Sequence, residues 1–356
     1  MAGLLLKSPN RQTMSNKSGH GVHYGHSLRS LSWDGSDNKT LSQELISSTI
    51  HEWYDAKHRE TSDEEIKLVN SAQVNCCPYC RSSSVIRSGF KDGIQRYFCK
   101  DCRHCFNPLT GTIFEDKKIP VSEWVEYLLH LFEFHSITTS ARDNRNAYST
   151  GKYWLIKVFS VLKHYQQNII LEGNVFLDET FYSLRKSEIL TRPDGKKYRG
   201  ISRNKLCVAC GKDGKGHVIL LCENTSKPSD HSTWKTLGSH IAQKSHLIHD
   251  GERSHHILIE GLSLTSEVYD SLEIRKLKDE DNPLDSINEI HSLAKRFMRQ
   301  HGGYNRDNLQ DFMNLISFIL NEPYDRYEKI DLFINMALNS PRRVKYRDVM
   351  SKKQPE

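Results

Sequence analysis

The chain of 356 residues has no apolar run approaching the roughly 20 residues that a membrane-crossing helix needs. Its opening stretch, MAGLLLKSPN, holds only three consecutive leucines, too few for the apolar region of a secretory leader, so a cytoplasmic protein is expected. No segment recurs at a fixed period. Neither sign of charge dominates: 50 Lys and Arg against 44 Asp and Glu leave +6, a mild excess that fits a polyanionic partner without requiring one. Nine cysteines make an odd set, which argues against a secreted disulfide framework.

What is present is unevenly spread. Apolar residues make up 37% of the chain and concentrate after about residue 110, and the length predicts two or three units. Residues 1–40 are rich in Ser, Asn, Gly, Lys and His and read as a disordered arm; His20, His23 and His26, three apart, could hold a metal but read more plainly as part of that polar tail. Residues 41–74 carry Leu41, Leu45, Ile46, Ile50 and Trp53 at helical spacing, which predicts a helical lead-in. Within 118–168, Pro120 fits a first helical turn, and Trp124, Leu128, Leu131 and Phe132 form one apolar stripe. A polar break and a second stripe, YWLIKVFSVLKHY, follow. Two such helices fit a helix-turn-helix-like segment presenting Tyr148, Lys152 and Lys157 outward; a plain helical linker is the competing reading. Within 172–340, short β-type runs (NVFLDETF, KLCVAC, HVILLC, HLIHD) alternate with helical stretches, and longer helices are expected around 285–300 and 307–320. That alternation predicts an α/β domain, closed by a basic tail at 341–356.

Six of the nine cysteines lie within 76–105, and four of them form two CxxC pairs, Cys77/Cys80 and Cys99/Cys102. Two such knuckles complete a closed tetrahedral zinc site, which marks it as structural, so residues 75–110 are expected to form a zinc ribbon. The intervening SVIRSGFKDGIQRYFC reads as a hairpin turning at Asp92-Gly93. Cys76 and Cys105 complete no second tetrad, and Cys207/Cys210 sits in a strand-like run, where small buried cysteines are common. Arg81, Arg87, Lys91, Arg96, Lys100 and Arg103 in and beside the ribbon suit phosphate contacts, against the plainer reading of a solvated surface.

Two short apolar strands are each expected to deliver a carboxylate at their end, Asp178 in FLDET and Asp250 in HLIHDGE. Magnesium takes oxygen ligands and keeps several waters, so a few carboxylates suffice for a site. A third ligand is expected from LDSINEIHSLAKRF, where Asn288, His291 and Lys295 share one helical face and Asp285 and Glu289 compete with them.

The ordered set of these motifs, from the cysteine pairs through FLDET, RGISRNKLCVACGKDGKGH, HDGERSHH, INEIHSLAKRF and NLQDFMNLISFI, resembles the bacterial insertion-sequence transposases of the DDE superfamily that carry an N-terminal zinc ribbon. The likeness spans about residues 75–325. It implies an RNase H-like catalytic core, a mixed central sheet flanked by helices, which uses two magnesium or manganese ions to nick and join DNA. On that resemblance Asp178 and Asp250 are the first two catalytic carboxylates, Asn288 the third ligand and Lys295, seven residues on, a phosphate contact. Arg199, Arg203 and Lys205 in RGISRNK, with Arg87, Lys91, Arg96 and Lys152, become DNA contacts. The implied partners are double-stranded element ends and target DNA, met by a homo-oligomer in a prokaryotic nucleoid. A non-catalytic DNA-binding regulator and an RNase H-like nuclease or resolvase are the rival readings.

Overall fold

The computed structural model describes residues 62–350, apart from 116–118, 145, 185, 271–273, 275, 279–280, 302–305 and 341. The expected arm over 1–40 and most of the lead-in over 41–74 lie outside the described residues. Helix α1 (Asp63–Asn70) begins where the Ser62 hydroxyl accepts the Glu65 N–H, and three acidic residues fill its first turn. A small sheet follows, with β1 (Val85–Lys91) antiparallel to β2 (Ile94–Cys99) and β2 antiparallel to β3 (Cys105–Phe106). Lys91 pairs with Ile94, so Asp92-Gly93 is a two-residue turn, and both residues have positive φ (51° and 75°) as the right-handed twist of a hairpin demands.

Three helices come next: α2 (Ser122–Phe132), α3 (Ile137–Asp143) and α4 (Tyr148–Leu162). The stripe Trp124, Leu128, Leu131 and Phe132 is buried, and Trp124 stacks on Trp154 at 4.3 Å between ring centroids. Lys152 and Tyr148 are exposed, but Lys157 is not outward as its spacing suggested. It is 6% exposed, its ammonium donates to the Ile113 carbonyl at 2.5 Å, and it lies 4.6 Å from the centre of the Tyr153 ring. A long stem with a carbonyl and an aromatic face within reach can be buried while still charged.

The main sheet is built from β4 (Asn174–Ser183), β5 (Lys205–Asp213), β6 (Val218–Thr225), then β7 (His246–His249) and β8 (Thr265–Val268). Helix α5 (Asp230–Leu237), opened by a Ser229/Ser232 capping box, connects β6 to β7, and α6 (His256–Gly261) connects β7 to β8. The strand order is β6-β5-β4-β7-β8; β4, β5 and β6 pair antiparallel, whereas β7 and β8 run parallel to β4. Helices α7 (Asp285–Gln300), α8 (Leu309–Leu320), α9 (Arg326–Asn339) and α10 (Tyr346–Met350) complete the described chain. The result is a mixed sheet with helices on both faces.

Alternation along β4 feeds two cores. Val175 and Leu177 join Leu237, Leu247 and Leu258 on the α5/α6 face; Tyr182 and, from β5, Val208 and Cys210 join α4, α7 and α8 on the other. The second core continues without a break into Trp124 and Tyr127 of the helical segment. At the β6 edge the open backbone groups are met by side chains: Gln166 exchanges bonds with both the N–H and the carbonyl of Leu220, and Asn321 does the same at Val218.

Candidate functional site

The register of β4 against β7 explains how two distant aspartates meet. Leu177 pairs with His249, the last pair of that ladder, so Asp178 and Asp250 occupy the next step side by side where β7 stops. Asp178 is therefore not at a strand end, as its motif suggested; it sits mid-strand, opposite Cys210 of β5, and it is the neighbouring strand that ends. Gly251, with φ +84°, turns the chain away, and a Cβ there would meet Val268 at 2.9 Å. One oxygen from each of Asp178, Glu179 and Asp250 lies within 4.8 Å of the others. Burial first, then the charges of Asp250 and Glu179, push the Asp178 carboxyl up to about 7. Of the three, Asp178 on β4 and Asp250 just past the end of β7 form a donor pair suited to a hard divalent cation that keeps several waters.

Helix α7 packs across β4 and β5 and brings His291 Nδ1 to 3.7 Å from Asp178 Oδ2. Burial, helped by the charge of Lys295, drives His291 down to about 4, so this approach is between a neutral ring and the Asp178 carboxyl group rather than an ion pair. Asn288, one turn earlier on the same face, and Lys295, one turn later, are exposed. Asp285 and Glu289 are exposed too, and neither belongs to the carboxylate cluster around Asp178.

Beneath the aspartates lies a layer that the motifs did not single out. Glu179 points to the opposite face from Asp178, where its carboxylate accepts from His255 Nε2 at 2.7 Å. Gly251 donates to His249 Nδ1 at 3.2 Å, so that nitrogen is an acceptor, and His255 Nδ1, 3.0 Å away, must be its donor. Both His255 nitrogens thus carry protons. Burial opposes that charge, but the Glu179 hydrogen bond and charge outweigh it and raise the His255 pKa; burial and the His255 charge push His249 down to about 4. The signal was available as a second acid directly after Asp178 and two histidines flanking Asp250.

In the small sheet, the four thiols of Cys77, Cys80, Cys99 and Cys102 converge within 4.8 Å of one another. The two knuckles match: Arg81 N–H closes onto the Cys77 carbonyl and Arg103 N–H onto that of Cys99, both at 2.9 Å, and both arginines have positive φ. Within the array the Cys102 backbone N–H pulls the Cys99 thiol down to about 7, whereas at Cys102 the His104 N–H is outweighed by burial and the neighbouring thiols, which push it up to about 12, so the thiols share charge unevenly. Four sulfurs in this array could hold zinc. Cys207 and Cys210 are buried three residues apart on β5 and so face opposite sides of the sheet, which prevents them from sharing an ion.

Of the basic residues, Arg87, Lys91, Lys152, Arg199 and Arg203 are exposed and Arg96 is half-buried. Lys205 is half-buried and donates to the Ser183 hydroxyl at 2.8 Å. No helix among the described residues is long and apolar enough to cross a membrane.

No family model matches the chain. It is 28% identical over 256 residues to an uncharacterized protein in transposable element ISH50 of Halobacterium salinarum, a match covering 67% of this chain and 82% of that protein. A crystal structure of a pre-cleavage Mos1 transpososome aligns with 59% of this chain and 78% of its own at 12% identity, and its TM-score of 0.20 is too low to carry an argument.

Proposed function

We propose that the chain is a transposase of the DDE type, which binds the ends of its own element and catalyses their cleavage and joining to target DNA. The carrying observation is the meeting of Asp178 and Asp250 at the step where β7 ends, and the relative within a transposable element supports the same reading. The mixed sheet with helices on both faces suits an RNase H-like core.

In this reading Asp178 and Asp250, with Asn288 from α7, hold magnesium or manganese. Such ions, when bound, stabilise charge at the scissile phosphate and activate the attacking oxygen. The chain supplies the frame. The β4–β7 ladder fixes both carboxylates, and the His255 cation holds Glu179 so that its charge is compensated below the site. His291 buttresses Asp178 from α7, and Lys295 is free to reach a phosphate. Zinc on Cys77, Cys80, Cys99 and Cys102 holds the hairpin whose exposed Arg87 and Lys91, with Arg96, meet the DNA backbone, as do Lys152, Arg199, Arg203 and Lys205. Homo-oligomers assemble on paired ends.

The test uses labelled duplexes carrying the sequences that flank the gene. Wild type with magnesium should nick them and join pre-cleaved ends to a target plasmid, and Asp178→Ala should do neither while still retarding the duplex in a gel. Retained cleavage by Asp178→Ala would refute the assignment, and cleavage without joining would make the protein a nuclease instead.

A further inference from the structure

We infer that a transition-metal site separate from both the cysteine array and the carboxylates closes the corner between α2 and α3, with His130, His135 and Asp143 as ligands. His130 lies in the last turn of α2. Beyond it Phe134 takes φ +66°, and the His135 N–H returns to the His130 carbonyl at 2.9 Å, a helix-ending closure that folds His135 back over His130. The two imidazoles lie nearly parallel with centroids 5.0 Å apart. Ser136 then caps α3 by accepting the Thr139 N–H at 3.1 Å, and that short helix delivers Asp143 back to the histidine pair.

One donor atom from each of the three residues lies within 4.8 Å of the others. The Nδ1 atoms of both histidines are buried and have no hydrogen-bond partner among the described residues, although Asp143 is close and keeps Arg142 Nε at 2.9 Å from its Oδ1. Two stacked rings with unpaired buried nitrogens beside a carboxylate are costly as a purely protein arrangement. A shared cation removes that cost. Two imidazoles and one carboxylate are donors of zinc's preference, with bonds of about 2.0–2.2 Å, and a water completes the tetrahedron. The site fixes the angle between α2 and α3 ahead of α4, much as a covalent clip would.

Zinc content of the purified full chain, measured by mass spectrometry after dialysis, decides the matter. His135→Ala should carry one zinc fewer than wild type, and the thiolate-to-metal absorption of the cobalt-substituted protein should be unchanged, because the cysteine array is intact. Equal zinc content in His135→Ala and wild type would overturn the inference. Asp143→Asn guards against misfolding: it keeps size and shape, and competition with a chelator should find that zinc held at least about tenfold more weakly, the scale by which even outer-shell changes act. An unchanged affinity would count against the site.

Discussion

At Asp178, burial and two neighbouring carboxylates work against the charge that a metal ligand must carry. The group retains a proton up to about pH 7 in the folded chain and only to its ordinary 3.8 when unfolded. The protonated form therefore contributes stability that is fully present below pH 3.8 and is lost as pH rises toward 7. For a side chain 21% exposed, this amounts to several kcal/mol at most, at about 1.4 kcal/mol per tenfold in proton affinity. His249 and His291, both driven down to about 4, act with the opposite sign, so the effect is isolated by subtraction. The stability of wild type minus that of Asp178→Asn, from urea unfolding without magnesium, should fall between pH 4 and 7. Added magnesium should recover it in wild type only, and a pH-independent difference would show that Asp178 is not loaded in this way.

Among the elements, the hairpin of the small sheet was the most legible in the sequence, because Asp-Gly between two β-type runs and a cysteine pair on each side admit few alternatives. Gly93 combines φ +75° with a neighbour, Ile66 Cδ1 of α1, only 2.6 Å from where a Cβ would stand. Gly93→Ala should cost about 1–2 kcal/mol, the penalty of a left-handed alanine, and more if Ile66 cannot yield. Amide exchange across residues 85–106 reports it; unchanged protection would mean that the turn is not set by this glycine. Each aspartate was visible as the polar end of an apolar run, but Asp178 lies mid-strand because β4 continues through Glu179, Thr180 and Phe181 to Ser183. What lay between the elements was not visible. Glu179 is one residue from Asp178, but a strand's period of two sends it to the other face, and its partner His255 comes from a turn 76 positions away in sequence. Lys157 was misjudged for a related reason: periodicity identifies a stripe, but it does not reveal that the Ile113 carbonyl waits at the margin.

Over the whole molecule, the proposed DNA contacts are spread along the small sheet, the helical segment and the loop before β5, so no single one dominates. Binding of an element-end duplex should weaken steeply with salt, because each neutralised phosphate releases counterions. Arg203→Ala should weaken it on all sequences alike and reduce the slope of log affinity against log salt by about one. A slope identical to wild type would remove Arg203 from the interface.

Under the proposed function a divalent cation is held between β4 and the end of β7. Manganese titrated into the protein and followed by the paramagnetic signal of the free ion measures this directly. Wild type is predicted to sequester manganese, and Asp178→Asn and Asp250→Asn each to lose most of that binding; variants that take up manganese as wild type does would contradict it.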